Sequence, residues 1–370
     1  MFRFDRRLIL NFDWILLLTV LAVIGMGLVN LYSATTNGYT SSHIFIKQIY
    51  FYIIGLGLVV TIISVDYRVL ISWNYVFYGV IILLLIMAKF FGNSAGGAQR
   101  WINLGFFKLQ PSEPAKLAMV ICLASYYYRK DTGKGFSLRE LLAPGLLAGI
   151  PFVLILKQPD LGTALMIAMI AVSMTLFVKL RWSTLIIIIT ACMIIAPLGW
   201  KFALKPYQQQ RIETFLHPEG DPLTTGYHIM QSKIAVGSGR AFGKGFLKGS
   251  QAHLDFLPEH HTDFAFSVWA EEFGFAGSVF FLACYTFMLL LGLNIALSAR
   301  DKFGVLLAFG IVALIFWQAF INLAMILGLL PVVGMPLPLF SYGGSSLLTN
   351  MAGLGILFNI RMRRFMVQTT

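Results

Sequence analysis

Long apolar runs separated by short polar stretches fill most of the chain. They fall at 14–34, 49–65, 73–90, 112–128, 141–156, 161–178, 183–203, 273–297, 303–328 and 341–360. Each is close to the ~20 residues that a helix needs to cross a bilayer, so the pattern predicts ten transmembrane helices. The run 141–156 is short, and the break at Pro159 before 161–178 also fits a re-entrant pair. From about Lys205 to Glu272 the long runs stop. Gly, His, Gln and charge take their place, up to Pro258-Glu259-His260-His261-Thr262-Asp263-Phe264. Asp263 stands where this polar island runs back into hydrophobic sequence.

Composition excludes a water-soluble domain. Hydrophobic residues make up 58% of the 370 and charged ones 12%, against roughly a quarter charged in soluble domains. Arg3, Arg6 and Arg7, then Arg68, then Arg129, Lys130, Lys134 and Arg139 fall on one side of a ten-span chain. Lys179 and Arg181, Arg300 and Lys302, and Arg361, Arg363 and Arg364 join them, with both termini. Positive-inside bias makes that side cytoplasmic and turns the island, about 204–272, outward between helices seven and eight. The expected fold is an all-α polytopic membrane protein, with residues 1–370 forming a single transmembrane domain. The first helix reads as a retained signal anchor, because no small-residue cleavage site follows its basic start. Cys122, Cys192 and Cys284 lie in spans and read as buried apolar residues.

The outer side is basic as well: Lys47, Arg100, Lys108, Lys157, Lys205, Arg211, Lys233, Arg240, Lys244 and Lys248. Anionic headgroups would account for such a surface, and so would an anionic substrate such as a pyrophosphate. Nothing in the pattern points to nucleic acid.

Ionisable residues near spans are costly and single themselves out. Gln110-Pro-Ser-Glu113-Pro-Ala-Lys116 opens helix four, with prolines suited to a helix start and Lys116 one turn beyond Glu113. The two residues form either a capping ion pair or an outward cation for substrate phosphate. Asp160 follows Pro159 and reads as an N-cap, or as a group that orders a neighbouring cation or binds a metal. A helix from Asp263 to Leu297 would be about 52 Å long, far beyond a ~30 Å hydrocarbon core. Phe273–Leu297 already spans, so 263–272 is expected to be an interfacial or cavity-lining helix. Thr262 would cap it, and Asp263, Ser267 and Glu271 would share one face. Asp263 is then either a capping acid or, beside His260 and His261, a general base. His253, His260 and His261 with Asp255 and Glu259 fit no standard zinc spacing.

Several stretches together resemble the SEDS family (shape, elongation, division and sporulation). They are Gly97-Ala-Gln-Arg100-Trp101, Gln110-Pro-Ser-Glu-Pro-Ala-Lys116, Gln158-Pro-Asp-Leu-Gly-Thr163, Gly226-Tyr-His-Ile-Met-Gln231-Ser-Lys233 and Leu257-Pro-Glu-His-His-Thr-Asp263. The last runs from Asn322 through Gly328-Leu-Leu-Pro331-Val-Val-Gly334-Met-Pro-Leu-Pro338 to Ser341-Tyr-Gly343-Gly344-Ser-Ser346. The match covers nearly the whole chain in order. Gln158 and Lys233 place it closer to the rod-shape elongation branch than to the division branch.

The resemblance implies a ten-helix glycosyltransferase that polymerises lipid II on the outer face of the cytoplasmic membrane. It also implies a class B penicillin-binding protein, the crosslinking transpeptidase, as partner, among other elongation-machinery membrane proteins. On that reading Asp263 deprotonates the acceptor, and Lys116, Arg100, Arg211 and Lys233 meet the departing pyrophosphate. Mg²⁺ or Mn²⁺ would come with that pyrophosphate, and no prosthetic group is expected. Trp101 stacks on a sugar or sits at the interface, while Asp160 and Glu113 orient cations. Ser341, Gly343 and Gly344 pack helix ten or line the lipid path. A lipid II flippase and a non-catalytic scaffold for the transpeptidase are the rival readings.

Overall fold

The computed structural model describes residues 11–35, 43–95, 98–103, 105, 107–130, 135–188, 190, 193, 225–250 and 261–365. Its first helices are α1 (Trp14–Thr35), α2 (His43–Ser64) and α3 (Val69–Phe91). Next come α4 (Ser112–Arg129), α5 (Leu142–Leu156) and α6 (Leu161–Phe177). After a gap follow α7 (Thr225–Ser238), α8 (Ala265–Ser298), α9 (Lys302–Ile326) and α10 (Gly344–Met362). Five of them, α1, α2, α3, α8 and α9, are long and apolar enough to cross a membrane. The protein has an all-α polytopic membrane fold. The helix expected at 183–203 is described only in part, with 182–188 helical.

Helices that are apolar on every side belong inside a bundle. In α9 a 72% share of the most apolar window is buried, and α4 is enclosed almost throughout. By contrast, α2 and α3 turn Tyr50, Trp73 and Phe90 outward. Small residues allow close helix approach. A Cβ on Gly355 of α10 would lie 3.2 Å from the Val59 Cα of α2, and one on Gly353 would lie 3.0 Å from Ile311 of α9.

Length dictates a break in α8. Its 34 residues would make a rod of about 51 Å, and the helix is interrupted at Gly274 (φ 65°, ψ −162°). The break separates a short entry segment from the membrane span, close to the expected start at Phe273. The 239–245 loop docks into it and satisfies the interrupted backbone. Phe275 N donates to Arg240 O (2.8 Å), Ala276 N to Ala241 O (2.9 Å) and Lys244 N to Glu271 O (3.0 Å).

Of the basic clusters expected on one side, Arg68, Arg129, Arg361 and Arg363 meet at one end of the bundle, while Arg3, Arg6, Arg7 and Lys134 lie outside the described residues. Arg68 pairs with Asp301, Arg361 with Asp13 and Arg363 with Asp66. Nearby, Arg129 donates to Ile71 O, and Phe136 bridges to Leu180. At the opposite end lies an element absent from the helical pattern, a three-stranded antiparallel sheet between α3 and α4. It comprises β1 (Asn93–Ala95), β2 (Ala98–Asn103) and β3 (Lys108–Leu109), in that order.

Candidate active site

The sheet, α2, the start of α8 and the chain between α9 and α10 enclose a cavity of about 700 Å³. Trp101 and Lys108 line it from β2 and β3, Lys47 and Phe51 from α2, and Glu113 from the first turn of α4. His261, Thr262 and Asp263 form another wall, and Gly334, Pro336 and Tyr342–Ser346 close it. Burial pushes the Tyr342 phenol above its ordinary range, so it remains a neutral hydroxyl at neutral pH.

Asp263 does not lie in a helix. Helix α8 begins at Ala265 with Phe264 as its N-cap and has no side-chain cap, so Thr262 is not its cap and Asp263 precedes the first turn. Tertiary bonds hold this turn instead: Asn322 Nδ2 donates to Asp263 O (2.8 Å) and Tyr342 N to His261 O (3.0 Å). Nor do Ser267 and Glu271 share a face with Asp263. Ser267 Oγ is 2.9 Å from Ser232 Oγ, and Glu271 accepts from Lys244 Nζ (2.5 Å). Both serve the docking of the 225–250 segment. The Asp263 carboxylate lies over Gly334, where a Cβ would come 3.4 Å from Oδ2. Gly334 also has φ +69°, which favours glycine on its own account.

The other expected residues divide. Trp101, Glu113, Thr262, Gly343 and Gly344 reach the cavity together with Asp263. Lys116 does not. It is fully buried behind Glu113, with Nζ 2.9–3.0 Å from the two carboxylate oxygens and 3.2 Å from Gln318 Oε1. Its two hydrogen bonds go to Glu113 Oε1 and Gln318 Oε1, and full burial keeps the ammonium away from the open space. Arg100 donates to Gln158 O (2.9 Å) and Pro159 O and sits 4.0 Å from Asp160, bracing the α5–α6 turn. Asp160 is the N-cap of α6, accepting from Thr163 N (3.2 Å) and Oγ1 (3.0 Å). It also accepts from Gln110 Nε2 (3.3 Å), and Gln110 lines the cavity. Lys233 covers the backbone of Gly328, where a Cβ would meet its Cε at 2.1 Å, and does not line the cavity. Ser341 Oγ accepts from Leu337 N (3.1 Å) and closes a turn. Gly344 leaves room for the Phe51 ring, 2.6 Å from where a Cβ would stand. Arg211, His253, Asp255, Glu259 and His260 lie outside the described residues.

Among the described residues, the cations that do face the cavity are Lys47 and Lys108. Neither forms an ion pair among the described residues. In the sequence both belong to the outer basic set with nothing to single them out, and only the fold sets α2 opposite β3. Ser345 joins the cavity to an apolar groove of about 450 Å³ that runs past Leu117 and Leu348 to Asn359.

The fold and the site thus define a polytopic membrane protein with an acid-and-cation chamber at one end and an apolar groove leading from it. A family model described as "Cell cycle protein" (FtsW/RodA/SpoVE) matches residues 13–365, and the chain belongs to this family, the SEDS proteins. It is 41% identical over 316 residues to the peptidoglycan glycosyltransferase MrdB of Escherichia coli K12, covering 85% of each chain. One chain of a peptidoglycan synthase complex, described as coordinating polymerization and crosslinking, superposes with a TM-score of 0.82 at 32% identity. That match covers 96% of this chain and 98% of the other. The rod shape determining protein RodA of Thermus thermophilus gives a TM-score of 0.71 at 29% identity, with the same two coverages.

Proposed function

We propose that this chain polymerises lipid II into β-1,4 glycan during cell elongation, with Asp263 as general base. It is a peptidoglycan glycosyltransferase and a multi-pass protein of the bacterial membrane. The residues form one domain of ten spans with both termini cytoplasmic, so the chamber opens outward. Sorting of the basic turns to the opposite end supports that orientation.

Asp263 takes the proton of the acceptor GlcNAc 4-hydroxyl as its oxygen attacks the anomeric carbon of the donor MurNAc. The bond to undecaprenyl pyrophosphate breaks, and its electron pair leaves with the pyrophosphate. One displacement turns an α-linked donor into a β-glycan, so no enzyme nucleophile is required. Lys47 and Lys108 meet the polyanion that departs. They take the role expected of Lys116, Arg100 and Lys233, whose side chains are directed elsewhere. Trp101 offers its face to a sugar. Glu113, with Lys116 behind it, and Asp160, through Gln110, set the wall. The apolar groove that meets the chamber at Ser345 suits a polyprenyl tail.

Among the described residues no cluster of His, Cys, Asp or Glu suits a protein-held metal. Mg²⁺ or Mn²⁺ would arrive on the pyrophosphate, and the displacement is derived without it. The partner is a class B penicillin-binding protein, alongside other membrane proteins of the elongation machinery. What carries this reading is one observation: Asp263 and the two lysines share a chamber.

The test is glycan formation from purified lipid II by the chain with its transpeptidase partner. Asp263→Asn is expected to cut the rate by about 10²-fold or more, the usual worth of a general base. Equal glycan from folded wild type and variant would sink the assignment. Lipid II crossing vesicles without polymerisation would favour a flippase instead.

A further inference from the structure

Asn322 belongs to the C-terminal motif, yet no chemical step above uses it. It is fully buried on α9, one turn beyond the equally buried Gln318. Its amide nitrogen donates to Asp263 O (2.8 Å) and to Met335 O (2.6 Å). The amide orientation is fixed by this pair, because the flipped group would set its oxygen against two carbonyls. Both hydrogens of one buried amide thus tie together the Asp263 turn and the 331–341 stretch. Gly334, in that same stretch, is the residue over which the Asp263 carboxylate lies.

Gln318 repeats the device on the next wall. Its amide donates to Pro336 O (3.1 Å) and Ser346 Oγ (2.8 Å), while its Oε1 accepts from Lys116 Nζ (3.2 Å). Through Lys116 it reaches Glu113 (3.0 Å). One face of α9 therefore holds three walls of the chamber by neutral amides. A rigid, enclosed helix is a good support for a catalytic group carried on a turn.

We infer that Asn322 is a positioning residue: by pinning Asp263 O and Met335 O to α9 it sets the distance of the Asp263 carboxylate from the acceptor hydroxyl. The inference rests on Asp263 being the base. Misplacing a base by about 1 Å costs on the order of 10²-fold in rate while substrate binding persists. Asn322 does not line the cavity, so its effect should fall on kcat and spare KM.

The experiment compares Asn322→Leu and Asn322→Ser with wild type, each bound to the transpeptidase partner, on purified lipid II across a pH series. Leucine removes both anchors, whereas serine keeps one donor. Expected are a fall in kcat of at least tenfold for Asn322→Leu and a smaller one for Asn322→Ser. KM should stay within twofold, and the midpoint of the acid limb of the rate should move, because the base has changed surroundings. If leucine does not give a folded, partner-bound protein, the serine variant alone must show the fall in kcat and the moved acid limb. Wild-type kcat in a folded variant would overturn the inference. So would losses in kcat and KM together with an unmoved acid limb, the mark of a purely structural residue. Asp263→Asn run in parallel separates the two ideas: full activity there removes the base assignment itself, whatever Asn322 does.

Discussion

The two ends of the bundle use their charges differently. Where α2 turns into α3, α8 into α9 and α10 ends, acids and guanidiniums are matched. Arg68 lies 3.2 Å from Asp301, Arg361 3.3 Å from Asp13 and Arg363 3.9 Å from Asp66. Tyr67 adds a 2.5 Å hydrogen bond to Asp301. At the chamber end the ion pairs among the described residues each hold a buried carboxylate: Lys116 with Glu113, Lys244 with Glu271 and Arg100 with Asp160. Lys47 and Lys108 face a hollow that they share with Asp263 and make no ion pair among the described residues. Matched charges close turns and keep the ends of helices in place. On the proposed mechanism, the cations left facing the opening receive the anionic leaving group.

The contrast can be broken at its strongest point first. Lys116→Met should leave Glu113 charged and buried without a partner, costing about 3–5 kcal/mol. Thermal unfolding in detergent would register this as a sharply lowered midpoint. Adding Glu113→Gln should recover most of that loss, since removing both charges of a buried pair is often close to neutral. An unchanged midpoint for the single variant would mean that the pair is hydrated.

A smaller effect is expected from the open cations. Lys47→Ala and Lys108→Ala should each lower kcat/KM for lipid II, by about tenfold for a lost charged hydrogen bond. Their double variant should lose about a hundredfold, and added salt should weaken wild type more than the double variant. Wild-type kinetics in the double variant would return the leaving-group role to other cations. The least effect belongs to the matched end. Asp301→Asn removes a charge that Arg68 and Tyr67 meet but leaves an oxygen to cap α9 at Gly304 N, so it should cost on the order of 1–2 kcal/mol. Glycan synthesis should be unchanged, and a large loss of activity there would show that the two ends are coupled.

Much of the fold was legible from local sequence. The spans begin and end within a few residues of the apolar runs at α1, α4, α5, α6 and α9, because length and hydropathy alone make a membrane helix. The same arithmetic divides an entry helix from a span starting at Phe273, and the break at Gly274 lies beside that division. The Glu113–Lys116 pair and the Asp160 cap were readable as well, being contacts three residues apart. The sheet was not foreseen, although Gly96-Gly97 between Ala95 and Ala98 is the kind of dipeptide that joins a hairpin. Thr262 misled because a Thr before an acid resembles a cap. What fixes that turn comes instead from Asn322, 59 residues away.

Legible in the chain alone were a membrane protein, most of its helices though not α7 inside the polar island, the family and the acid at the island's edge. These are properties of short windows, in which hydrophobic length and motif order suffice. Which cations face the chamber and which are used up elsewhere depends instead on how distant helices pack. Arg100, Lys116 and Lys233 looked as available as Lys47 and Lys108, since a charge carries no mark of the direction it will point. That direction depends on which carbonyls and carboxylates the packing of distant helices brings within about 3 Å. In this chain the packing gives Lys116 to Glu113 and Gln318, Arg100 to the α5–α6 turn, and the hollow to Lys47, Lys108 and Asp263.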